Sequence, residues 1–290
     1  MIRLFNALKS HYLSPIEIRY ITMPGGEPHP IIETHYSIDN ENIVIDWRWR
    51  DSFDIGVFLT LVDIIKRNKP RSITLFIPYF PGGRQDRVTS YKESFTAIVF
   101  ADLINNLSLD KVVTFDAHSD VTPALIRNCV NISPEQFIRH ELTGTYHKII
   151  SPDAGALKRS RKVAELYSVD VIQCSKNRNT KTGEITDIHV PDLGTTTKFL
   201  LVDDICDGGA TFVKLMEVIR ERYKDIKVDF WASHGIFSKG LSKLFEYFDN
   251  IYTTDSLEKA SNLQSVITSK QFFVHNLLTN ERIVEELIYA

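Results

Sequence analysis

The chain has 290 residues, 43% hydrophobic and 24% charged, with a formal net charge of −3. That length and balance belong to a globular protein able to build two cores of ordinary size. They exclude a basic footprint for nucleic acid, no run is long and apolar enough for a membrane span, and the three cysteines, Cys129, Cys174 and Cys206, lack metal-ligand spacing. Cysteines used in this way suit a reducing compartment. The opening Met1-Ile-Arg-Leu-Phe-Asn lacks the charged-then-apolar form of a signal peptide, so a cytoplasmic location is expected and any phosphate binding has to be local.

In chain order, apolar runs at 16–21 and 43–45 predict strands, and residues 53–67 predict a helix with Phe58, Leu61, Val62 and Ile65 at helical spacing. A strand at 73–77 leads into a loop over 79–87, and a helix from about 95 to 106 precedes a strand at 112–115. The pattern resumes after residue 140, with strands at 149–150, 169–174, 199–202 and 228–233 and helices near 158–167, 211–223 and 241–248. Alternation of this kind predicts an α/β fold with mainly parallel sheets flanked by helices. In such sheets ligands bind beyond the carboxyl ends of strands. Domains are expected over 1–140 and 141–290, with the last helix packing back on the first.

The chemistry-bearing residues all follow strands. Phe199-Leu-Leu-Val-Asp203-Asp204-Ile-Cys-Asp207-Gly208-Gly209-Ala210-Thr211 runs from a buried strand through an acid pair and a glycine turn into a helix. Backbone N–H groups of such a turn hold phosphate, the acids accept hydrogen bonds from sugar hydroxyls, and glycine lets the main chain come close. Pro78-Tyr-Phe-Pro-Gly82-Gly83-Arg84-Gln85-Asp86-Arg87 presents two arginine forks for phosphate around a Gln-Asp pair; an exposed charge cluster is the plainer reading. Asp116-Ala-His118-Ser-Asp120 joins imidazole and carboxylates in a set that suits Mg²⁺ or Mn²⁺. Asp153, in Ser151-Pro-Asp153-Ala-Gly155, can share a metal, hold a ligand hydroxyl or cap a helix. Lys158 and Arg159 read as solvated helix residues. The polar segment from Ser175 to Glu184 carries Lys176 and Arg178, a cation pair able to close over a reacting polyphosphate, although a surface loop is the simpler account.

Together and in this order, these segments resemble the ribose-phosphate diphosphokinase family, the phosphoribosyl pyrophosphate synthetases, over roughly residues 20 to 257. Pro78-Tyr-Phe-Pro-Gly-Gly-Arg-Gln-Asp-Arg is similar to its ATP segment, Pro-Tyr-Phe-x-Tyr-Ala-Arg-Gln-Asp-Arg. Phe115-Asp-Ala-His resembles its metal segment, and Ser151-Pro-Asp-Ala-Gly its Ser-Pro-Asp-x-Gly stretch. Lys176-Asn-Arg178 falls on the Lys-x-Arg of its catalytic loop, and 202–211 on its ribose-phosphate loop, Val-Asp-Asp-x-x-Asp-Thr-x-Gly-Thr. Ala232-Ser-His-Gly-Ile-Phe-Ser238 resembles Ala-Thr-His-Gly-x-x-Ser.

The resemblance implies two type-I phosphoribosyltransferase-like, Rossmann-like domains, Mg²⁺, ATP as co-substrate and a homo-oligomer with shared ATP sites. It implies transfer of the β,γ-diphosphoryl group of ATP to the anomeric 1-hydroxyl of ribose 5-phosphate. By it, Glu27, Arg84, Gln85, Asp86 and Arg87 hold ATP; His118, Asp116 and Asp153 serve the metal; and Lys176 and Arg178 stabilise transferring charge. Asp203 and Asp204 hold ribose hydroxyls, and Asp207, Gly208, Gly209, Ala210 and Thr211 cradle the 5-phosphate.

Three departures stand out. Met23-Pro-Gly25-Gly26-Glu27 replaces Phe-x-Asp-Gly-Glu, Gly82-Gly83 replaces Tyr-Ala, and Gly208 replaces a phosphate-binding threonine. The last is expected to widen the loop by a side chain's volume, which would admit ADP-ribose, the same ribose carrying ADP at its 5 position, as acceptor for NAD synthesis. Some phage-type relatives make ADP-ribose pyrophosphate in this way. A phosphoribosyltransferase and a silent regulatory homologue are the competing classes; the duplicated domain and the retained His118, Lys176 and Arg178 speak against them.

Overall fold

The computed structural model describes residues 1–8, 12–34, 37–178, 185–266 and 271–289. Contacts divide the chain into one unit of Met1–Ile132, Ser256–Glu258 and Asn276–Ala290, and another of Ser133–Asp255 and Lys259–His275.

The first unit contains β1 (Ile2–Leu8), β2 (Tyr12–Thr22), β3 (Pro28–Glu33), β4 (Asn42–Trp47), α1 (Phe53–Arg67), β5 (Ser72–Phe76), α2 (Thr96–Asn105), β6 (Lys111–Phe115), α3 (Val121–Leu125) and β7 (Cys129–Ile132). Its seven strands run in the order β3-β2-β1-β4-β5-β6-β7. From β4 to β7 the pairing is parallel, and β4, β5 and β6 are apolar runs buried on both faces. β1, β2 and β3 pair antiparallel at the other side, where β2 is mostly exposed or half-buried. Helix α1 buries Val57, Phe58, Leu61, Val62 and Ile65, with Asp54 in its first turn and Lys66 and Arg67 in its last, signs that suit the helix dipole. Trp47 stacks on Phe58 at 4.5 Å between ring centroids.

In the second unit, α4 (Glu135–Glu141), β8 (Lys148–Ser151), α5 (Leu157–Tyr167), β9 (Asp170–Gln173), β10 (Ser175–Arg178) and β11 (Ile185–His189) lead to β12 (Lys198–Cys206). Then come α6 (Ala210–Arg222), β13 (Lys227–Gly235), α7 (Ser242–Phe245), β14 (Asn250–Thr254), α8 (Glu258–Val266) and β15 (Phe272–His275). Six strands form an all-parallel sheet in the order β15-β14-β13-β12-β8-β9, while β10 and β11 pair separately. Phe230 is fully buried in its core, its ring centre 4.5 Å from that of Phe212 and 4.9 Å from that of Phe248. The division falls at Ser133, ahead of the boundary expected near residue 140, because α4 packs on α5. The chain then returns to the first unit as α9 (Glu281–Ile288), capped by Asn280 and burying Ile283, Val284, Leu287 and Ile288 against β1, β2 and β4. No helix among the described residues is long and apolar enough to cross a membrane.

One ionic node ties the first sheet together. Asp46 of β4 is fully buried; it accepts from Arg48 Nε at 2.7 Å and from Arg3 Nε at 2.6 Å, and the Arg48 guanidinium lies 5.0 Å from the Phe76 ring centre. Removing one partner of a buried ion pair leaves an uncompensated charge. Asp46→Asn is therefore expected to lower the unfolding free energy by about 3 kcal/mol, measured by urea denaturation at neutral pH; a loss well under about 1 kcal/mol would show that the arginines find water instead.

Candidate functional site

In the first unit the segment after β5 is a constrained turn. Gly83 N donates to Phe80 O at 3.1 Å, Pro81 occupies the second position, and Gly82 has φ +77°, the pattern of a type II turn. A β-carbon on Gly82 would lie 2.6 Å from Thr96 Cγ2, so the turn both requires glycine and packs against the start of α2. Gln85 N donates to Gly82 O and Ala97 N to Gln85 O, which fixes the start of the charged segment. Arg84, Gln85 and Arg87 are exposed and Asp86 is half-buried. Arg87 Nε lies 3.8 Å from Asp86 with the arginine 83% exposed, a wide pair that leaves its fork facing solvent. Glu27 is exposed on the turn joining β2 to β3, a turn closed by Gly26 N donating to Met23 O at 2.8 Å.

Beyond β6, Asp116 is buried and left-handed at φ +44°, a conformation aspartate tolerates better than most residues. Its N–H donates to Ile132 O at 2.8 Å. Asn131 of β7 anchors the same corner, its Oδ1 accepting from Thr114 and from Ala117 N. His118 and Asp120 are exposed.

In the second unit Lys176 of β10 donates to the Asp153 carboxylate, which also accepts from Ala156 N at 3.1 Å. Burial alone would raise Asp153, but the Lys176 hydrogen bond and charge, aided by the N–H groups of Ala156 and Gly155, hold it below its ordinary value. α5 begins at Leu157 with Ala156, not Asp153, at its N-cap. Asp203 and Asp204 lie inside β12, which continues to Cys206, not beyond a strand ending at 202. Asp204 N donates to Asp203 Oδ1 at 2.8 Å. Arg159 is not a solvated helix residue: its side chain is 11% exposed, with Nη1 3.7 Å from Asp203 and 3.8 Å from Asp204. Burial, then the Asp204 charge and hydrogen bond, push Asp203 well above the usual carboxylate range; Arg159 opposes this, and the Asp153 charge adds to it. Lys176, Asp153, Arg159, Asp203 and Asp204 thus form one cluster of alternating sign. Gly209 starts α6 in the left-handed region at φ +77°. The side chain of Arg178, with Lys181 and Glu184 of the same segment, lies outside the described residues.

The metal residues implied by the resemblance are divided between the two units, Asp116 and His118 in the first and Asp153 in the second. Among the described residues no three His, Cys, Asp or Glu side chains converge to hold an ion: Asp116 is buried and Asp153 is engaged by Lys176. Exposed His118 still fits an ion carried mainly by substrate phosphate oxygens, since Mg²⁺ keeps most of its shell from water and phosphate.

No family model matches the chain. It is 29% identical over 233 residues to a ribose-phosphate pyrophosphokinase of Cereibacter sphaeroides, covering 74% of this chain and 68% of that protein. With those of Mycoplasmopsis pulmonis and Buchnera aphidicola it shares 31% and 29% identity, covering 69% and 81% of this chain and 64% and 72% of those proteins. Over most of its length the chain is thus similar to ribose-phosphate pyrophosphokinases. A crystal structure of phosphoribosylpyrophosphate synthetase from Mycobacterium smegmatis shares the fold, with a TM-score of 0.75 at 20% identity, covering 94% of this chain and 89% of that one. As a pyrophosphokinase, the protein is a transferase of the two-unit α/β architecture expected above.

The structure corrects the expectation that Gly208 and Gly209 open space in the pyrophosphokinase loop. A β-carbon on Gly208 would meet Lys239 Cγ at 3.2 Å and Ser238 Oγ at 3.6 Å, and one on Gly209 would meet Leu244 at 3.2 Å. The loop is filled from across the fold. Arg159, Ser238 and Lys239 are the residues that sequence reasoning passed over; for Ser238 the signal lay in its matched motif, and for the other two only tertiary packing supplies one.

An acid whose folded pKa is raised keeps its proton longer than the unfolded chain does. Stability therefore falls as pH rises above 3.8, the ordinary value for Asp203, until the folded group ionises. Asp204→Asn removes the neighbouring charge. It is expected to lower the Asp203 midpoint in a ¹³C-carboxyl NMR titration and to shrink the stability lost as pH rises above 3.8; an unmoved midpoint would mean that Asp204 does not act on Asp203.

Proposed function

We propose that this pyrophosphokinase transfers the β,γ-diphosphoryl group of ATP to the anomeric 1-hydroxyl of ribose 5-phosphate, giving phosphoribosyl pyrophosphate and AMP. The observation that carries the reading is the alternating cluster at one end of the second sheet, a lysine held by Asp153 beside an acid pair braced by Arg159. The 1-oxygen bonds to the β-phosphorus as the bond from that phosphorus to the α–β bridging oxygen breaks. AMP leaves with that oxygen, and the hydroxyl proton passes to water.

Asp203 and Asp204 accept hydrogen bonds from the ribose hydroxyls and so orient the 1-oxygen. Asp207, Gly208, Gly209, Ala210 and Thr211, at the positive end of α6, cradle the 5-phosphate through main-chain N–H groups. Lys176 is held by Asp153 before substrate arrives, and a cation fixed in advance stabilises charge on the transferring group without reorganising. Arg178 supplies the second cation of that segment. Arg84, Gln85, Asp86 and Arg87, with Glu27, serve ATP. A Mg²⁺ carried on the ATP phosphates, with His118 as its protein contact, would neutralise phosphate charge when bound. ADP-ribose is the second reading: without the threonine hydroxyl at 208 the loop has one contact fewer for a terminal 5-phosphate.

Incubation with ATP and Mg²⁺, with ribose 5-phosphate, ADP-ribose or neither, followed by chromatography for AMP, tests both. AMP is expected only when an acceptor is present, and faster turnover with ADP-ribose would select the second reading. AMP at equal rates without acceptor would overturn the transfer, and no AMP with either acceptor would mark a silent homologue.

Lys176→Ala is expected to lower kcat by about 100-fold or more, with acceptor KM within about threefold, because the lost interaction is made in the transition state. A variant with normal kcat would remove Lys176 from the mechanism.

A further inference from the structure

We propose that Lys239 is a specificity-determining residue of the acceptor site, its ammonium binding the phosphoryl end of the acceptor in place of the hydroxyl absent at position 208. The proposal rests on the acceptor role of the 203–211 loop.

The chain leaves β13 at Gly235 and folds straight back onto the end of β12. Ile236 N and Phe237 N both donate to Cys206 O, at 2.9 and 3.1 Å, and Ser238 N donates to Asp207 O at 3.1 Å. The Ser238 hydroxyl donates to Asp207 Oδ1 at 2.6 Å. The turn is rigid for two reasons. A β-carbon on Gly235 would lie 2.1 Å from the Phe237 ring, and Phe237 and Gly240 are both left-handed, at φ +46° and φ +74°. Residues 238 and 239 are thereby held beside residues 207 and 208.

Gly208 is not among the left-handed glycines, so its backbone makes no demand for glycine. Its neighbour does. The β-carbon that any other residue would carry there lies 3.2 Å from Lys239 Cγ, closer than ordinary contact. The lysine stem and a threonine at 208 compete for one volume, and this chain has the lysine. Lys239 is exposed, with its ammonium three bonds beyond that Cγ, beside the loop that the proposed function gives to the acceptor phosphate. A hydroxyl offers a single neutral donor at short reach. An ammonium is a flexible point charge with three donors, which suits a phosphoryl group bearing more charge, or one that continues into a second phosphate.

The test compares wild type with Lys239→Met, which keeps the stem, and Lys239→Arg, which keeps the charge. Ribose 5-phosphate and ADP-ribose serve as probes in AMP-release kinetics and in calorimetry without ATP. Lys239→Met is expected to raise acceptor KM and Kd by about tenfold or more, the scale of a lost charge-assisted hydrogen bond. The kcat and the KM for ATP should stay within about twofold, and Lys239→Arg should recover most of the loss. Acceptor KM and Kd unchanged in Lys239→Met would overturn the assignment, as would a wild-type protein that binds neither probe. Acceptor binding that depends on Lys239 with no AMP formed would uphold it while refuting diphosphoryl transfer.

Discussion

The functional side chains of the second unit depend on the parallel pairing of β12 with β13, because it outruns the pairing of β12 with β8. β8 matches β12 only over Phe199, Leu200 and Leu201, whereas β13 stays in register from Lys198 to Cys206. Past Leu201 the strand is held on one flank alone. On the flank where β8 stops, the chain turns at Ser151 into the Asp153 corner and starts α5, which delivers Arg159 to the acid pair. The extra length of β13 also carries its exit turn as far as the 206–209 loop. A β12 that ended with β8 would have neither the acid bay nor the clamp.

That geometry gathers charge that would not gather by itself. Burial disfavours the ionised form of Asp203, and the Asp204 charge adds to that cost. One arginine shared between both acids offsets part of this, and Asp153 spends its own charge on Lys176. The site is thus a set of charges of both signs gathered by the fold. Under the proposed transfer, sugar hydroxyls that donate to the acids would offset the cost of gathering their charges.

The parts of this fold legible in the sequence are those where burial on both faces leaves an uninterrupted apolar run, as in β5, β6, β12 and β13, and those with helical spacing, as in α1. Of the antiparallel side only the middle of β2 was legible, in the apolar run at 16–21. β3 carries Pro28 and Pro30 and pairs only as the sheet edge, where a missing N–H is tolerated. At the site, the acid pair and the glycine turn could be read because each lies within one strand-to-helix connection. Arg159 could not, since helical periodicity does not say which neighbour a charged face will meet. Nor could the filling of the loop, because Lys239 reaches Gly208 only through the exit turn of a neighbouring strand.

The two adjacent glycines, which read as one signal, separate on physical grounds. Gly209 opens α6 in the left-handed region with Leu244 packed 3.2 Å from where a side chain would begin, so both its backbone and its surroundings demand glycine. Any substitution there disturbs the helix start and the core beneath it. Gly208 carries no such backbone demand, and its restriction is a single flexible side chain from another part of the chain. A restriction of that kind can be lifted by changing the partner: with a small residue at 239, a threonine at 208 would find room. Position 208 is therefore coupled sterically to position 239, whereas position 209 answers to the fold. The departure from the family's loop is then an exchange of one phosphate-facing group for another, hydroxyl for ammonium, made across 31 residues of sequence and a single van der Waals contact.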